Sequence, residues 1–338
     1  MVSRTHVTFK ADDRSYFAIL KKEIHAIAVA GGFTGRRLAE IDIVVAEIVT
    51  NLVKHAGGGQ VCVALVEEEG MQGIEIISID NGPGMSDVSR MISDGVSTKN
   101  TLGHGLGAIK RLSDVFQVYS LKEWGTVLLA RLFDEGYSSY KKKSKLELRS
   151  FLLPKPGETA CGDGYYHRSS EGSLQFFLGD GLGHGPDAEK AVLQAGEAFL
   201  QCEESDPTEI IRIMNTAVKK TRGLVGTVVV LDKKKMVWQI CGVGNIASKI
   251  FTNTSSRNYI AYNGIIGLNV PRTLNVQEMP YEKGQYLMMC SDGIRSRWDT
   301  AKYANFNRYD LSILAAAIFK DYGRLTDDMS VVACKINL

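Results

Sequence analysis

The sequence lacks the features that mark several classes of protein. Its six cysteines are scattered without CxxC spacing, which favours reduced, buried thiols over a zinc site or a disulfide framework. Basic residues (40 Lys and Arg) nearly balance acidic ones (38 Asp and Glu), so the net charge does not favour binding to nucleic acid or an anionic membrane. No apolar run approaches the roughly 20 residues of a membrane span, and no signal-peptide core is present. We therefore expect a cytoplasmic protein with neither a nucleic acid nor a membrane as partner.

The composition is that of a folded globular protein, 44% hydrophobic and 23% charged, and 338 residues are enough for two domains. Hydrophobic spacing over residues 1–135 predicts a short strand, two helices and then paired strands, an α/β sandwich without βαβ alternation. The polar and basic residues 136–145 predict a linker. Residues 146–338 predict a second α/β domain that is richer in strands. No repeat of about 20–50 residues links the two parts, which argues against a duplication.

A polar stripe interrupts an otherwise apolar helix of the first domain. Glu47, Asn51 and His55 recur at i, i+4 and i+8, a spacing that places three side chains on one helix face. The same stripe on a surface helix would simply face solvent, so it leaves a ligand site and a solvated face as alternatives. The segments that follow favour a ligand site.

Glycine-rich turns follow the stripe at two places. In ISIDNGPGM, Asp80 ends an apolar strand, so a carboxylate and a glycine turn meet at a sheet edge where a flat ligand could lie, although a plain turn would look the same. In LGHGLG, the glycines precede a helix predicted at 108–113, whose free N–H groups favour a phosphate. The glycines concerned are Gly82, Gly84, Gly103, Gly105 and Gly107, and a later strand adds Thr126.

In this order the segments resemble the GHKL ATP-binding fold over roughly residues 5–133, and within it the RsbT-type serine kinases of bacterial sigma-factor and stressosome pathways. The resemblance implies ATP and Mg²⁺ as cofactors, with Glu47 accepting the proton of a Ser or Thr hydroxyl and Asn51 binding Mg²⁺. Asp80 would bind the adenine amino group. The residues implied around adenine and the phosphates are Gly82, Gly84 and Thr126, then Gly103, Gly105 and Gly107, with Lys99 as an additional charge and His55 as a structural residue.

Aspartates stand at the ends of strands in the second domain. Asp163 lies in CGDGYY, Asp180 follows the apolar LQFFLG, and Asp292 follows YLMMCS. Asp327 and Asp328 precede a further strand, SVVA. A single loop aspartate is most often a cap or a turn residue, but this set offers only oxygen ligands, which suits Mg²⁺ or Mn²⁺ better than Zn²⁺. Two such ions can clamp a phosphate for in-line attack by water.

Over about residues 146–338 these motifs resemble the SpoIIE-type PPM phosphatases, particularly the compact RsbX type. The metal ligands that the resemblance implies are Asp163, Asp180, the carbonyl of Gly181, Asp292 and Asp327, with Asp328 as a second choice. Asp180 would bridge both ions and is therefore implied as catalytic. Eukaryotic relatives carry an acid histidine where this chain has Leu182, so the role of the nearby His184 stays open.

Together the resemblances imply a GHKL (Bergerat) α/β sandwich followed by a PPM-type β-sandwich flanked by helices. They imply a bifunctional regulator that phosphorylates Ser or Thr of a STAS-domain partner with its first domain and removes that phosphate with its second. The alternative is a phosphatase whose first domain only binds ATP or sequesters a sigma factor. Intact Glu47 and Asn51 favour the kinase, although a sigma-binding module would also keep them.

Overall fold

The computed structural model describes residues 5–68, 70–92, 105–134, 146–252 and 255–337. The chain divides into two compact units. The first unit is His6–Lys142 together with Asn305–Ala317, and the rest of the chain forms the second. The linker predicted at 136–145 lies outside the described residues, so the predicted boundaries 1–135 and 146–338 stay a prediction. In the described part of the chain, no helix combines the length and apolar character that a membrane span requires.

One antiparallel sheet forms the frame of the first unit, with the strand order β1-β2-β3-β5-β4. Its strands are β1 (Val7–Lys10), β2 (Gln60–Glu68), β3 (Met71–Asp80), β4 (Val115–Leu121) and β5 (Gly125–Phe133). The helices are α1 (Phe17–Ala30), α2 (Gly35–Asn51), α3 (Val88–Ile92) and α4 (Gly105–Leu112), with a 3-10 turn at Arg14–Tyr16. Alternate strand residues such as Val63 and Ile76 pack with Ile41 and Ile48 of α2 in one core, as a period of two on a half-buried strand predicts.

The helix that carries the polar stripe changes geometry after Asn51. A π-helical turn, Leu52–Ala56, continues it and ends at Gly57, whose φ of 75° is left-handed. Glu47 and Asn51 therefore share a face of α2, but His55 does not continue their α-helical spacing as the sequence predicted. A π turn closes i→i+5 instead of i→i+4 hydrogen bonds, and this shifts the angular position of His55.

A buried arginine holds Asn305–Ala317 to the sheet of the first unit. Arg131 on β5 is 1% exposed and donates to both oxygens of Asp310, at 2.7 and 2.9 Å. It also donates to Glu75 at 2.5 Å and to the Ser312 hydroxyl at 2.7 Å. Glu75 in turn lies 3.1 Å from the His6 ring. Every charge in this cluster therefore has an opposite charge or a hydrogen-bond donor beside it.

The second unit contains two five-stranded antiparallel sheets, ordered β13-β10-β9-β8-β7 and β12-β11-β14-β15-β6. The strands are β6 (Leu146–Leu153), β7 (Asp163–Ser169), β8 (Ser173–Gly181), β9 (Leu224–Asp232), β10 (Val237–Val243), β11 (Ala247–Phe251), β12 (Ser256–Tyr259), β13 (Gln277–Pro280), β14 (Tyr286–Cys290) and β15 (Met329–Ile336). Phe176 and Trp238 of one sheet share a core with Met289 and Val332 of the other. This is the β-sandwich that the sequence resemblance implied.

Helices cover the outer face of the first of these sheets. α5 (Pro186–Gln201) and α6 (Pro207–Ala217) bury Phe199 and Met214 against Phe177 and Val228. Both helices begin with proline, whose fixed φ and missing N–H suit the first helical position. The remaining helical segments of the described residues, in either unit, are α7 (Leu311–Tyr322) and the 3-10 turns Thr300–Lys302 and Phe306–Arg308; the last of these and the start of α7 belong to the first unit. The predicted fold class, mixed α/β in both parts, is confirmed.

Candidate functional sites

In the first unit, two polar side chains of the predicted kinase site, both on α2, lie beside the first residue of α4. A Cβ atom placed on Gly105 would lie 3.0 Å from Oε2 of Glu47 and 3.2 Å from Oδ1 of Asn51. The Nδ2 atom of Asn51 is buried and has no hydrogen-bond partner among the described residues. A buried polar atom without a partner is costly, so this corner suits a ligand with polar or charged groups.

The glycine segment does not have the geometry that the sequence predicted. Gly105 is the first residue of α4 and Gly107 lies buried inside its first turn, whereas both were expected in a loop before a helix at 108–113. The first N–H groups of an α-helix have no partner within the helix, so both residues still lie where a phosphate would be stabilised. Gly103 and Lys99 lie outside the described residues.

Asp80 organises the sheet edge beside this corner. It is 9% exposed, and its Oδ1 accepts hydrogen bonds from the backbone N–H groups of Gly82 at 2.8 Å and Thr126 at 3.2 Å. β3 and β5 pair Asp80 directly with Thr126, which places both predicted nucleotide residues at one end of the sheet. Ser120, which the sequence did not single out, lies 3.0 Å from the Thr126 hydroxyl and accepts the Met85 N–H at 2.8 Å.

The geometry of this turn depends on glycine at Gly84, independently of any ligand. Gly84 has a φ of 70°, and a Cβ there would collide with the carbonyl of Leu121. At Gly82, a Cβ would lie 2.8 Å from the Cα of Ala56. Both glycines are therefore required by close backbone packing, which the sequence could not separate from close approach of a flat ligand.

In the second unit, two pairs of neighbouring strands deliver the predicted aspartates. Asp163 opens β7 and pairs across the ladder with Asp180 near the end of β8. Asp292 follows the end of β14, and Asp327 precedes β15, the strand that pairs with β14. Directly opposed side chains on a sheet lie about 5 Å apart, so Asp163 and Asp180 are like charges at close range.

Asp163 is the most deeply buried of the four aspartates implied as first-choice ligands, at 4% exposure. Its Oδ2 accepts hydrogen bonds from the hydroxyls of Ser291 and Ser330, each at 2.6 Å. Its Oδ1 is buried and has no partner among the described residues. The sequence motifs did not predict a role for either serine, although each is close to a predicted ligand: Ser291 precedes Asp292, and Ser330 lies in DDMS.

Burial and the negative charges of neighbouring carboxylates raise the pKa values of Asp163 and Asp180. Burial, together with the charges of Asp328 and Asp292, raises the pKa of Asp163 to about 7, against the lowering effect of the two serine hydrogen bonds. Burial and then the charges of Asp163, Asp292 and Asp327 raise the pKa of Asp180 well above its usual range. A divalent cation would relieve both the burial cost and the mutual repulsion.

The donor chemistry and the unpartnered Oδ1 of Asp163 fit such a cation. Among the described residues, however, no three acidic, histidine or cysteine side chains already stand in metal-binding geometry. The predicted aspartates therefore lie near one another, but no three of their side chains are arranged as the ligands of a single metal ion. A cation would have to draw the carboxylates together, since like charges repel when nothing lies between them.

Several neighbours hold the surrounding loops. Both oxygens of Asp328 accept backbone N–H groups, from Lys155 at 2.8 Å and Gly162 at 2.9 Å. Asn245 donates to Oδ2 of Asp292 at 2.9 Å. Asp328 is thus engaged in fixing the loop around Gly162, while Asp292 is oriented by the side-chain amide of Asn245.

The loop after Asp180 packs closely on α5. A Cβ on Gly181 would collide with the backbone of Ala188, so only glycine fits this predicted ligand position. Further along, Nδ1 of His184 lies 2.8 Å from Oε1 of Glu158, and both side chains are partly exposed.

Comparison with protein families identifies both parts of the chain. The family described as histidine kinase-like ATPase domain matches residues 9–132, and the family described as stage II sporulation protein E (SpoIIE) matches residues 170–337. Both resemblances predicted from the sequence motifs are confirmed.

Two curated proteins of Bacillus subtilis (strain 168) are similar to the two parts. The serine/threonine-protein kinase RsbT is 37% identical over 99 residues, which cover 29% of this chain and 74% of RsbT. The phosphoserine phosphatase RsbX is 23% identical over 145 residues, which cover 43% of this chain and 72% of RsbX.

Solved structures agree with the sequence comparisons. A chain from a study of the bacterial stressosome as a modular system that controls secondary messenger signalling is 31% identical, with a TM-score of 0.53, and the match covers 56% of this chain and 100% of that one. The crystal structure of RsbX in complex with magnesium has a TM-score of 0.50 at 20% identity, and the match covers 57% of this chain and 96% of that one. The second likeness shows a shared fold.

Proposed function

This chain belongs to the histidine kinase-like ATPase family in residues 9–132 and to the SpoIIE family in residues 170–337, and we propose that it is a bifunctional regulatory enzyme. Its first unit would phosphorylate Ser or Thr of a protein partner, and its second would remove that phosphate. The observation that carries the proposal is that each unit gathers its own polar set, Glu47 and Asn51 at Gly105 in one and five aspartates in the other.

For the kinase reaction, the proposal assigns the base to Glu47. Its carboxylate lies at the start of α4, where the N–H groups of Gly105 and Gly107 would hold the phosphates of ATP. Asn51, beside Glu47, would bind Mg²⁺ through its amide oxygen, and Gly103 belongs to the same proposal. Glu47 would accept the proton of the attacking hydroxyl, since phosphoryl transfer depends on positioning and charge stabilisation without a covalent enzyme intermediate.

For nucleotide recognition, Asp80 would accept a hydrogen bond from the adenine amino group. Two backbone N–H groups already fix its Oδ1, so the orientation of the carboxylate is set before a ligand arrives. Gly82, Gly84 and Thr126 would line the ring at the same sheet edge.

For the phosphatase reaction, two Mg²⁺ or Mn²⁺ ions would be held by Asp163, Asp180, the carbonyl of Gly181, Asp292 and Asp327. Bound there, such ions supply charge neutralisation for a phosphoryl group and a lowered pKa for water. The chain's own contribution is to hold Asp180 opposite Asp163 and to orient Asp292 through Asn245. Asp180, whose pKa is raised by burial and by the charges of the four other aspartates, is the residue whose loss should be most damaging.

The proposed partner is a STAS-domain protein of a stressosome or of an anti-sigma antagonist pathway, acting in the cytoplasm. The likeness to RsbT, to RsbX and to a chain from the stressosome study supports this choice. A sigma factor or a downstream regulator is a further partner that the proposal allows.

The test uses the full-length protein, ATP labelled in its γ-phosphate, Mg²⁺, Mn²⁺ and a STAS-domain protein from the same organism. Label should accumulate on the STAS protein with Asp180→Asn and disappear when Glu47→Gln is added. Asp187→Asn, which removes an exposed carboxylate from the first turn of α5, is the matched control and should behave like wild type.

Each negative result has its own meaning. If no variant labels the partner but wild type releases phosphate from a phosphorylated partner, the first unit is a binding module and the kinase assignment is wrong. Capture of a sigma factor by the full-length chain would then favour sequestration. If Asp180→Asn and wild type release phosphate equally well, the phosphatase assignment is wrong.

A further inference from the structure

We propose that Ser291 and Ser330 are positioning residues that hold one oxygen of Asp163 and thereby leave its other oxygen to bind a divalent cation. The inference rests on the proposed phosphatase function, and it concerns two residues outside the ligand set. Neither serine would touch the cation or the substrate. Both would act through Asp163.

The hydrogen bonds around Asp163 run in one direction. The N–H of Ser330 donates to the Ser291 hydroxyl oxygen at 3.0 Å, so that oxygen already accepts and its proton is free to donate onward. Ser291 then donates to Oδ2 of Asp163 at 2.6 Å, and the Ser330 hydroxyl donates to the same atom at 2.6 Å. Both hydroxyl protons are therefore directed to one carboxylate oxygen.

Burial makes this arrangement consequential. Ser291 is 1% exposed, Ser330 is 0% exposed and Asp163 is 4% exposed, so water cannot easily replace any of these bonds. With both donors on Oδ2, the buried Oδ1 has no partner in the part of the chain that the structure describes. An unsatisfied carboxylate oxygen in such a place is costly, and a divalent cation is a group that would satisfy it.

The positions of the serines also explain how the two sheets can share one site. Ser291 directly follows β14 and Ser330 lies on its neighbour β15, while Asp163 opens β7 in the other sheet. The two hydroxyls therefore connect Asp163 to the sheet that carries Asp292 and Asp327. Rotation of the Asp163 side chain would break two hydrogen bonds at once, and this fixes its unpartnered oxygen.

The experiment measures Mn²⁺ binding to the full-length protein by calorimetry, and the thermal unfolding midpoint in EDTA and in Mn²⁺. The test variant is Ser291→Ala with Ser330→Ala. The matched control is Ser248→Ala, because Ser248 is a buried serine of the same unit whose hydroxyl has no hydrogen-bond partner among the described residues. Loss of partners that orient metal ligands typically weakens binding about 10–100-fold. We expect that loss for the double variant and an unchanged affinity for Ser248→Ala. The unfolding midpoint of the double variant should fall in EDTA, because the buried Asp163 carboxylate loses both donors, and its gap to wild type should widen when Mn²⁺ is added.

Other outcomes overturn the inference. Unchanged Mn²⁺ affinity in the double variant would show that Asp163 needs no help from the serines. A midpoint that lies below that of wild type by the same amount in EDTA and in Mn²⁺ would make the serines structural instead of positioning residues. Absence of Mn²⁺ binding by wild type would remove the proposed phosphatase function itself. The two failures can be told apart: in the first, wild type binds no Mn²⁺, and in the second, wild type and the double variant bind it equally well.

Discussion

Replacing Arg131 with Met should strongly destabilise the first unit. The substitution keeps a long apolar stem but leaves the buried Glu75 and the part-buried Asp310 without their common counter-charge. Breaking a buried ion pair by removing one partner costs about 3–5 kcal/mol, whereas exposed pairs contribute about 1 kcal/mol or less. Arg131 belongs to the first class because it is 1% exposed.

The expected shift is large enough to measure in either of two ways. For a unit of about 150 residues, each kcal/mol moves the unfolding midpoint by about 2–4 °C, so Arg131→Met should lower it by about 6–20 °C. Hydrogen exchange should show lost protection in β3 and β5, with β8 and β9 of the second unit as the internal reference. Arg36→Met, at an exposed arginine paired with Glu40, is the control and should cost less than about 0.5 kcal/mol.

A second substitution separates charge from packing. If uncompensated charge causes the loss, adding Glu75→Gln to Arg131→Met should recover part of it, because one buried carboxylate is then gone. A cavity would not be repaired in this way. Equal midpoints for Arg131→Met and Arg36→Met would refute the reasoning that this cluster stabilises the unit.

Three further outcomes test other parts of the structure. Burial alone would raise the pKa of Glu75, but the charge of Arg131 and the hydrogen bond from His6 hold it at about 2. The resulting stabilisation should be full above the ordinary glutamate pKa of about 4.3 and disappear towards pH 2, so urea unfolding of wild type and Glu75→Gln should converge over that range; parallel profiles would contradict it. Gly84→Ala should lower the free energy of unfolding by about 1–3 kcal/mol, because φ is 70° and the Leu121 carbonyl blocks a Cβ, and by more than Gly70→Ala, where the space is open. Chelation with EDTA should stop phosphate release from a phosphorylated STAS protein, and Mn²⁺ or Mg²⁺ should restore it; activity in EDTA would argue against the oxygen ligand set.

Much of each site could be predicted because its chemistry requires particular residue types at strand ends. Asp163 and Asp180 were predicted as members of one set of metal ligands, and β7 and β8 place them directly opposite each other. Asp80 and Thr126 were predicted in one pocket from separate segments, and the register of β3 and β5 pairs them. In both cases the prediction rested on the residue type and on its position on a strand.

What could not be predicted depends on partners that are distant in sequence or on local geometry without a sequence signal. Asp163 is 128 residues from Ser291 and 167 from Ser330, so no local pattern joins them. α7 reads LSILAAAIFKDY, which is apolar nearly all round and therefore shows no amphipathic helical period. The π turn that displaces His55 follows an uninterrupted α-helical pattern, and no feature of the sequence predicts the change from α-helical to π-helical geometry.

The participation of Asn305–Ala317 in the first unit has a consequence for biosynthesis. Asp310 is made 179 residues after Arg131, and at about 5–20 residues per second that interval lasts about 9–36 s. During it, the emerging sheet carries a charged guanidinium whose later partners have not yet been synthesised. Completion of the first unit must therefore wait until much of the second has left the ribosome, so the order of folding need not follow the order of translation. Ribosome-bound chains stopped before residue 305 should accordingly show β5 less protected than chains extended past residue 317 and clear of the exit tunnel.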